Sequence, residues 1–217
     1  MDCCGLKEAI QRLWCSIIGT TSNMASTDSN ATLYFGYGSN LWQHQMQQRC
    51  PTSKYLGIAR LNGYRWIINE RGYANVVKIA KDADEKHSYK DEVWGLVYSL
   101  QAEDEEDLDG NEGVPIAYTK EDLEVDFWRA RDGKKPKVTE KPQQVEMLVY
   151  INRKQVTSDK PKHEYIYRMN MGIKDAVKEG MPEKYVEQVI RKFIPEAGGK
   201  VVELTAEKWA LVYEDER

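Results

Sequence analysis

Two short segments of the chain contain residues whose types and spacing could carry out chemistry. Residues 32–42 read TLYFGYGSNLW, in which two glycines, a serine and an asparagine follow a run of strand-forming residues. Residues 108–115 read LDGNEGVP and contain Glu112 within a glycine-rich turn. Successive backbone N–H groups in a loop such as the first can bind an anion. A carboxyl group such as that of Glu112 can transfer protons.

Three kinds of ligand fit a glycine-rich loop at the end of a strand, and the sequence disfavours two of them. The GYGSNL motif lacks the third glycine of a dinucleotide-binding fingerprint, and no Lys-Ser or Lys-Thr pair closes a nucleoside triphosphate loop. A small carboxylate needs only backbone N–H groups and the side-chain donors of Ser39 and Asn40. Gly38 is then expected to have a positive φ or a close backbone approach, which only glycine allows at little cost. The alternative without a ligand is a tight strand-to-helix connection.

Glu112 also has two interpretations. Residues 103–107 read EDEED and predict a short acidic helix, followed by a glycine-broken loop that contains Glu112. In such acidic surroundings a carboxylate is most often solvated on the surface. Glu112 differs from its acidic neighbours because its turn is rich in glycine and ends in a proline, at a place where functional residues are common.

Composition and charge exclude several classes of protein. The chain has 217 residues and a net charge of −4, without the basic face of a nucleic-acid-binding protein. Its four cysteines show no CxxC spacing and its three histidines are far apart, so neither a metal site nor a disulfide framework is expected. No segment is long and apolar enough to span a bilayer. We therefore expect no nucleic acid, no integral membrane association and a reducing, cytoplasmic location.

The elements that position these segments follow from the hydrophobic pattern. Strands are predicted at residues 32–35, 55–68, 73–81, 91–100, 118–128 and 144–153, and amphipathic helices at residues 163–180 and 182–194. Strands followed by helices, without strict alternation, predict an α+β domain with a curved, mostly antiparallel sheet or small barrel. Residues 1–31 read as a flexible N-terminal extension, with an amphipathic helix at residues 6–17.

Four regions resemble the γ-glutamylcyclotransferase family, and they occur in the family's order. They are YFGYGSNL at residues 34–41, DEVWGLVYSL at 91–100, LDGNEGVP at 108–115 and EYIYRMNMGIKDAVKEGMPEKYVEQV at 164–189. The resemblance implies a small curved, mostly antiparallel β-barrel flanked by helices, and makes residues 32–217 a catalytic domain. It implies a small-molecule γ-glutamyl substrate, no cofactor and no metal, and it leaves a homodimer open.

The resemblance also implies roles for individual residues. Glu112 would be the catalytic acid and base, and Tyr165 would border the substrate. The YFGYGSNL motif would bind the γ-glutamyl group through Tyr34, Phe35, Gly36, Tyr37, Gly38, Ser39, Asn40 and Leu41. Tyr118 is a further candidate for the wall of the pocket, together with the tyrosines of the first motif.

The implied reaction cyclises a γ-glutamyl amide to 5-oxoproline and releases an amine, in glutathione metabolism. The nucleophile is the α-amino group of the substrate, so the reaction needs no nucleophile from the protein. Asn40 before Leu41 favours γ-glutamyl amino acids over glutathione. A γ-glutamyl-amine or glutathione-conjugate cyclotransferase stays open, as does a non-catalytic binding module. The loop at residues 131–142 looks lengthened and YANVVKI matches loosely, which leaves the leaving-group specificity undecided.

Overall fold

The structure, a computed structural model, describes residues 31–79, 88–131 and 133–196. The helix predicted at residues 6–17, and the predicted extension up to residue 30, lie outside the described residues. The strands are β1 (Thr32–Gly36), β2 (Lys54–Asn62), β3 (Tyr64–Ile68), β4 (Ala74–Lys78), β5 (Glu92–Leu100), β6 (Thr119–Arg129) and β7 (Gln143–Ile151). The helices are α1 (Gln43–Arg49), α2 (Ala102–Glu112), α3 (His163–Glu179) and α4 (Glu183–Gln188).

Within the described residues, five strands close a barrel in the order β1-β5-β2-β6-β7. All neighbours are antiparallel except β1 and β7, which pair in parallel at Tyr34 and Leu148 and complete the closure. The predicted fold class, a mostly antiparallel barrel with helices, is therefore confirmed. The strand predicted at residues 55–68 is instead two strands, because the chain turns at Gly63, whose φ is +76°. The second of them, β3, pairs with β4 in a separate two-stranded sheet.

The central strand β5 is apolar on both faces, which is why it is buried almost throughout. Its Gly95 lies where β1 ends and the glycine-rich loop begins. A Cβ atom at Gly95 would lie 2.5 Å from the carbonyl oxygen of Gly36 and 2.6 Å from the ring of Phe35. Glycine is therefore required at this position for β1 to pack closely enough to direct the loop to the end of the barrel.

Helix α3 packs directly against the loop that follows β1. A Cβ atom at Gly172 would lie 2.8 Å from Cβ of Leu41 and 2.9 Å from the backbone nitrogen of Trp42, so the helix approaches the loop as closely as glycine allows. The helix ends at Gly180, whose φ is +111°. No helix in the described part of the chain has the length and apolar character needed to cross a membrane.

Two helix boundaries differ from those predicted. Helix α2 continues through Gly110 to Glu112 and ends at Gly113, whose φ is +65°, so Glu112 is the last helical residue and not a loop residue. The helix predicted at residues 182–194 ends at Gln188 and is followed by a 3₁₀ turn, Ile190–Lys192. The buried β-branched residues around Val189 lower the preference for continued α-helix and favour this tighter turn.

Candidate active site

The loop after β1 and the C-terminal end of α2 meet at one small cavity, which we call the tyrosine cavity. The loop forms a 3₁₀ turn, Ser39–Leu41, and presents Ser39 and Asn40 to the cavity opposite Glu112. Six tyrosines share the lining: Tyr34, Tyr37, Tyr73, Tyr118, Tyr150 and Tyr165. The cavity volume is about 30 Å³, enough for about two waters, so a larger ligand has to widen it.

Asn40 fixes the side chain of Glu112 through a hydrogen-bond chain. Its amide nitrogen donates to Oε1 of Glu112 at 3.0 Å and to the hydroxyl of Tyr34 at 2.8 Å. Its amide oxygen accepts from the side chain of Gln45 at 2.8 Å. Because the oxygen is engaged by Gln45, the nitrogen points at Glu112 and holds the carboxylate in the cavity. This arrangement joins residues from the loop, α1 and α2 in one network.

The hydroxyl of Tyr165 accepts two backbone hydrogen bonds in the cavity. Ser39 N–H donates to it at 3.1 Å and Ala74 N–H donates at 3.2 Å. Gly38 has a φ of −109°, so of the two alternatives expected at this position the positive φ is absent. The close approach is present, because a Cβ atom at Gly38 would lie 2.8 Å from the Tyr165 hydroxyl and 3.2 Å from Cβ of Ala74.

A buried arginine supports the loop from behind. The side chain of Arg168 is completely buried and forms an ion pair with Glu164 at 3.1 Å. Its guanidinium also lies 3.4 Å from Oγ of Ser39 and 5.1 Å from the ring centroid of Tyr165. Glu164 balances the positive charge of Arg168, which therefore supports the loop through its contacts with Ser39 and Tyr165. Sequence reasoning missed Arg168, although it follows Tyr165 by three residues on the same helix face.

Hydrogen bonds hold three of the tyrosines in place. Tyr37 donates to the carbonyl oxygen of Tyr150 at 2.6 Å, and Tyr118 donates to the carbonyl oxygen of Ala74 at 2.9 Å. Tyr150 donates to Oδ1 of Asp109 at 2.6 Å. Burial raises the pKa of Tyr150, and the hydrogen bond to Asp109 raises it further.

The tyrosines around Glu112 stay protonated. Burial raises the pKa of Tyr34 well above its ordinary value, and the nearby charge of Glu112 raises it further. Burial raises the pKa of Tyr37 in the same way. Among the described residues that line the cavity, Glu112 is the only carboxylic acid. The cavity therefore combines one carboxyl group with neutral tyrosine hydroxyl groups.

The predicted site residues do not all reach the cavity. Those that line it are Tyr34, Tyr37, Gly38, Ser39, Asn40, Glu112, Tyr118 and Tyr165. Phe35 and Leu41 are completely buried in the core, where they anchor the two ends of the loop. Gly36 packs against Tyr34 and Asn40 behind the cavity. The lining residues that sequence reasoning missed are Tyr73, Ala74 and Tyr150, for which the signal was only their place in predicted strands.

The described part of the chain contains no group of three or more histidine, cysteine, aspartate or glutamate residues that could hold a metal ion.

Comparison with known proteins finds a matching family profile and relatives that are γ-glutamylcyclotransferases. A profile of the AIG2-like family matches residues 92–189, which include Glu112. The γ-glutamylcyclotransferase of Bos taurus is 32% identical over 93 residues, which make up 42% of this chain and 50% of that protein. That of Homo sapiens is 31% identical with the same coverage, so the chain spans about half the length of these two relatives. That of Mus musculus is 26% identical over 76% of this chain and 80% of its own length.

A solved structure supports the fold. A protein described as γ-glutamyl cyclotransferase is similar with a TM-score of 0.59 at 22% sequence identity, over 82% of this chain and 99% of that chain. At this identity the likeness concerns the arrangement of the barrel and helices. The matching profile covers the segment from β5 to α2 that supplies Glu112. Residues 92–189 of the chain therefore match the AIG2-like family, and the relatives that the chain resembles are γ-glutamylcyclotransferases.

Proposed function

We propose that this protein is a γ-glutamylcyclotransferase that converts γ-glutamyl amino acids or peptides to 5-oxoproline and a free amine. The observation that carries the proposal is the 3.0 Å hydrogen bond from Asn40 to Glu112, which holds one carboxylate in a cavity of neutral tyrosines. A cyclisation in which the substrate supplies its own nucleophile needs such a proton carrier. It needs no nucleophilic side chain.

The α-carboxylate of the substrate would bind where the Tyr165 hydroxyl now lies. That hydroxyl accepts from the backbone N–H groups of Ser39 and Ala74, which mark a position for an oxygen acceptor. Movement of Tyr165 widens the cavity and frees both donors for a carboxylate oxygen. The buried guanidinium of Arg168, paired with Glu164, lies behind the same loop and holds Ser39 in position. The γ-glutamyl group is thereby oriented for cyclisation, an effect that can lower the barrier by several kcal/mol.

The proton transfers would proceed through Glu112. Its carboxylate takes a proton from the α-ammonium group, and the resulting amine attacks the γ-carbonyl carbon to form the ring C–N bond. The oxyanion that develops accepts a hydrogen bond from the Tyr34 hydroxyl, which stays protonated because burial raises its pKa. When the tetrahedral intermediate collapses, the bond to the leaving nitrogen breaks and Glu112 returns the proton to that nitrogen. The freed Glu112 carboxylate then takes the second proton from the ring nitrogen, which becomes the lactam N–H, and passes it to the released amine, which leaves as an ammonium ion. The balance is one amide in, and one lactam and one amine out.

The direct test is to incubate the purified protein with γ-glutamyl-alanine, γ-glutamyl-lysine isopeptide and glutathione and to measure 5-oxoproline. We expect 5-oxoproline from at least one of these donors, and the ratio among them separates an amino-acid substrate from a side-chain adduct or glutathione. If donors bind by calorimetry and none is converted, the protein is a binding module and the proposal is wrong.

A further inference from the structure

A larger groove lies beside the tyrosine cavity. It has a volume of about 730 Å³, and we call it the Ile116 groove after its exposed isoleucine. The apolar side chains of Val114, Ile116 and Ala117 and the cationic side chains of Arg71 and Lys154 contribute to its lining. Its volume is within the range of about 300–1,000 Å³ that small-molecule sites occupy.

The groove and the cavity are continuous along the chain and through side-chain contacts. Gly113 of the groove directly follows Glu112, and Ala117 directly precedes Tyr118. The guanidinium of Arg71 lies 5.6 Å from the ring centroid of Tyr73 and 5.8 Å from that of Tyr118, both of which line the cavity. A substrate whose scissile nitrogen is at Glu112 can therefore extend its leaving group into the groove.

The lining of the groove combines an apolar surface with positive charge. Ile116 is 85% exposed, which is unusual for an isoleucine, and with Val114 and Ala117 it offers an apolar contact surface. Arg71 is half-buried, and its position on two tyrosine rings holds the planar guanidinium at the boundary with the cavity. A planar guanidinium binds a carboxylate through two parallel hydrogen bonds.

Lys154 also lines the groove, in a turn that Asn152 fixes. The backbone N–H groups of Lys154 and Gln155 donate to the side-chain oxygen of Asn152 at 2.9 and 2.8 Å. The backbone of Asn152 is in turn bound to Asn75, which follows Ala74 of the cavity. Arg71 therefore lies near residues that line the tyrosine cavity, and the turn that carries Lys154 is hydrogen-bonded to the neighbour of one of them.

We propose that the Ile116 groove binds the leaving group of the substrate and selects an amino acid with a large apolar side chain. The apolar side chain packs on Ile116, and Arg71 binds the carboxylate. This inference rests on the proposed cyclotransferase function and adds a leaving-group specificity to it. Arg71 acts as a specificity-determining residue, because it binds a part of the substrate that does not react.

The first test uses the unmodified protein and three donors: γ-glutamyl-leucine, γ-glutamyl-glycine, and γ-glutamyl-isoamylamine. The last has the side chain of leucine without its carboxylate. We expect kcat/KM for 5-oxoproline formation to be highest for γ-glutamyl-leucine, by about tenfold over each of the others, because each lacks one of the two contacts. Equal values for the three donors would overturn the inference and leave the cyclotransferase function standing.

The second test replaces the side chain of Arg71, which we propose binds the carboxylate of the leaving group. In Arg71→Met we expect kcat/KM for γ-glutamyl-leucine to fall by about tenfold to a hundredfold, mainly through a higher KM. The value for γ-glutamyl-isoamylamine should stay within about twofold, because that donor has no carboxylate to lose. Arg65→Met, at an exposed arginine of β3 outside the groove lining, is the matched control and should affect neither donor. Ile116→Ser should lower the value for the leucine donor and leave the glycine donor unchanged.

The outcomes separate the two proposals. Equal losses for the leucine and isoamylamine donors in Arg71→Met would mean that Arg71 only supports Tyr73 and Tyr118, and would overturn the assigned role. If Arg71→Met fails to fold, the comparison of the three donors on the unmodified protein still tests the proposed leaving-group specificity. Absence of 5-oxoproline from all three donors, while γ-glutamyl-alanine and glutathione are also inert, would overturn the cyclotransferase function itself and the groove with it.

Discussion

Asn40 makes hydrogen bonds through both ends of its side-chain amide, and this determines what Glu112 can do. The amide oxygen accepts from Gln45 and the amide nitrogen donates to Glu112 and Tyr34. At the scale of the residue, the hydrogen bonds of Asn40 therefore fix the orientation of the Glu112 carboxylate. A solvated carboxylate would sample many rotamers, and orientation of the proton carrier would be lost.

The first prediction concerns the proton transfer that we propose for Glu112. Glu112→Gln keeps the size of the side chain and removes the base, so we expect kcat for 5-oxoproline formation to fall by about 10²–10⁴. Donor binding by calorimetry should stay within a few fold. Asp107→Asn is the matched control, because Asp107 is an exposed acid of the same helix, and it should keep wild-type turnover. More than about a tenth of the wild-type kcat in Glu112→Gln would exclude it as the essential carrier.

The second prediction concerns the space at Gly38. Gly38→Val places methyl groups where the Tyr165 hydroxyl and the side chain of Ala74 lie, 2.8 and 3.2 Å from the new Cβ. We expect γ-glutamyl donors to lose measurable binding by calorimetry, because the added volume fills a cavity of about 30 Å³. The circular dichroism spectrum should remain that of the wild type. Unchanged affinity would show that the loop is only a connection between β1 and α1.

At the scale of the element, residue type predicts most of the strands and the long helix. Strands β5, β6 and β7 and helix α3 lie where apolar periodicity places them. The end of α2 is different, because Gly110 and Gly113 look alike in sequence and only one of them ends the helix. Gly110 lies inside the helix, and a Cβ atom at this position would have no other atom within 4 Å. Gly113 has the left-handed φ of +65° that favours glycine.

These two glycines give the third prediction. Gly110→Ala should raise the free energy of unfolding by about 0.5–1 kcal/mol, because glycine weakens a helix interior. Gly113→Ala should lower it by about 1 kcal/mol, because alanine is strained at that φ. Urea denaturation of both variants checks the pair. A destabilised Gly110→Ala would mean that the helix ends before Glu112, as the acidic sequence alone suggests.

Part of the site could not be predicted from the pattern of the elements. The resemblance connects the glycine-rich loop with Glu112, because both carry distinctive motifs. Tyr73, Tyr150 and Arg168 carry none, and each reaches the site only through the pairing of strands or the docking of α3. The parallel pairing of β1 with β7 that closes the barrel is likewise invisible in sequence, because Tyr34 and Leu148 are distant along the chain.

At the scale of the whole molecule, an ion cluster ties three neighbouring strands of the barrel together. Arg60 of β2 lies 2.7 Å from Asp126 of β6 and 3.3 Å from Glu92 of β5. The side chain of Asn62 also donates to Asp126, at 2.8 Å. Burial alone would raise the pKa of Asp126, but the hydrogen bonds from Arg60 and Asn62 outweigh it and hold the pKa below its ordinary value.

The fourth prediction is that this cluster makes barrel stability depend on acid pH. A carboxyl group whose pKa is lower in the folded state stabilises the fold fully above its unfolded-state pKa of about 3.9, and the contribution is lost as the pH falls through the folded-state value. Asp126→Asn should therefore lower the free energy of unfolding at pH 7 by about 1–3 kcal/mol. The difference from wild type should shrink between pH 5 and pH 3.

Urea denaturation at pH 7, 5, 4 and 3 measures this difference directly. Asp122→Asn is the control, because Asp122 is an exposed carboxylate of the same strand β6, and it should follow the wild type at every pH. A difference between Asp126→Asn and wild type that stays constant down to pH 3 would mean that the carboxylate acts through packing and not through its charge. A difference that shrinks would assign the acid sensitivity of the barrel to the strand-bridging cluster around Arg60.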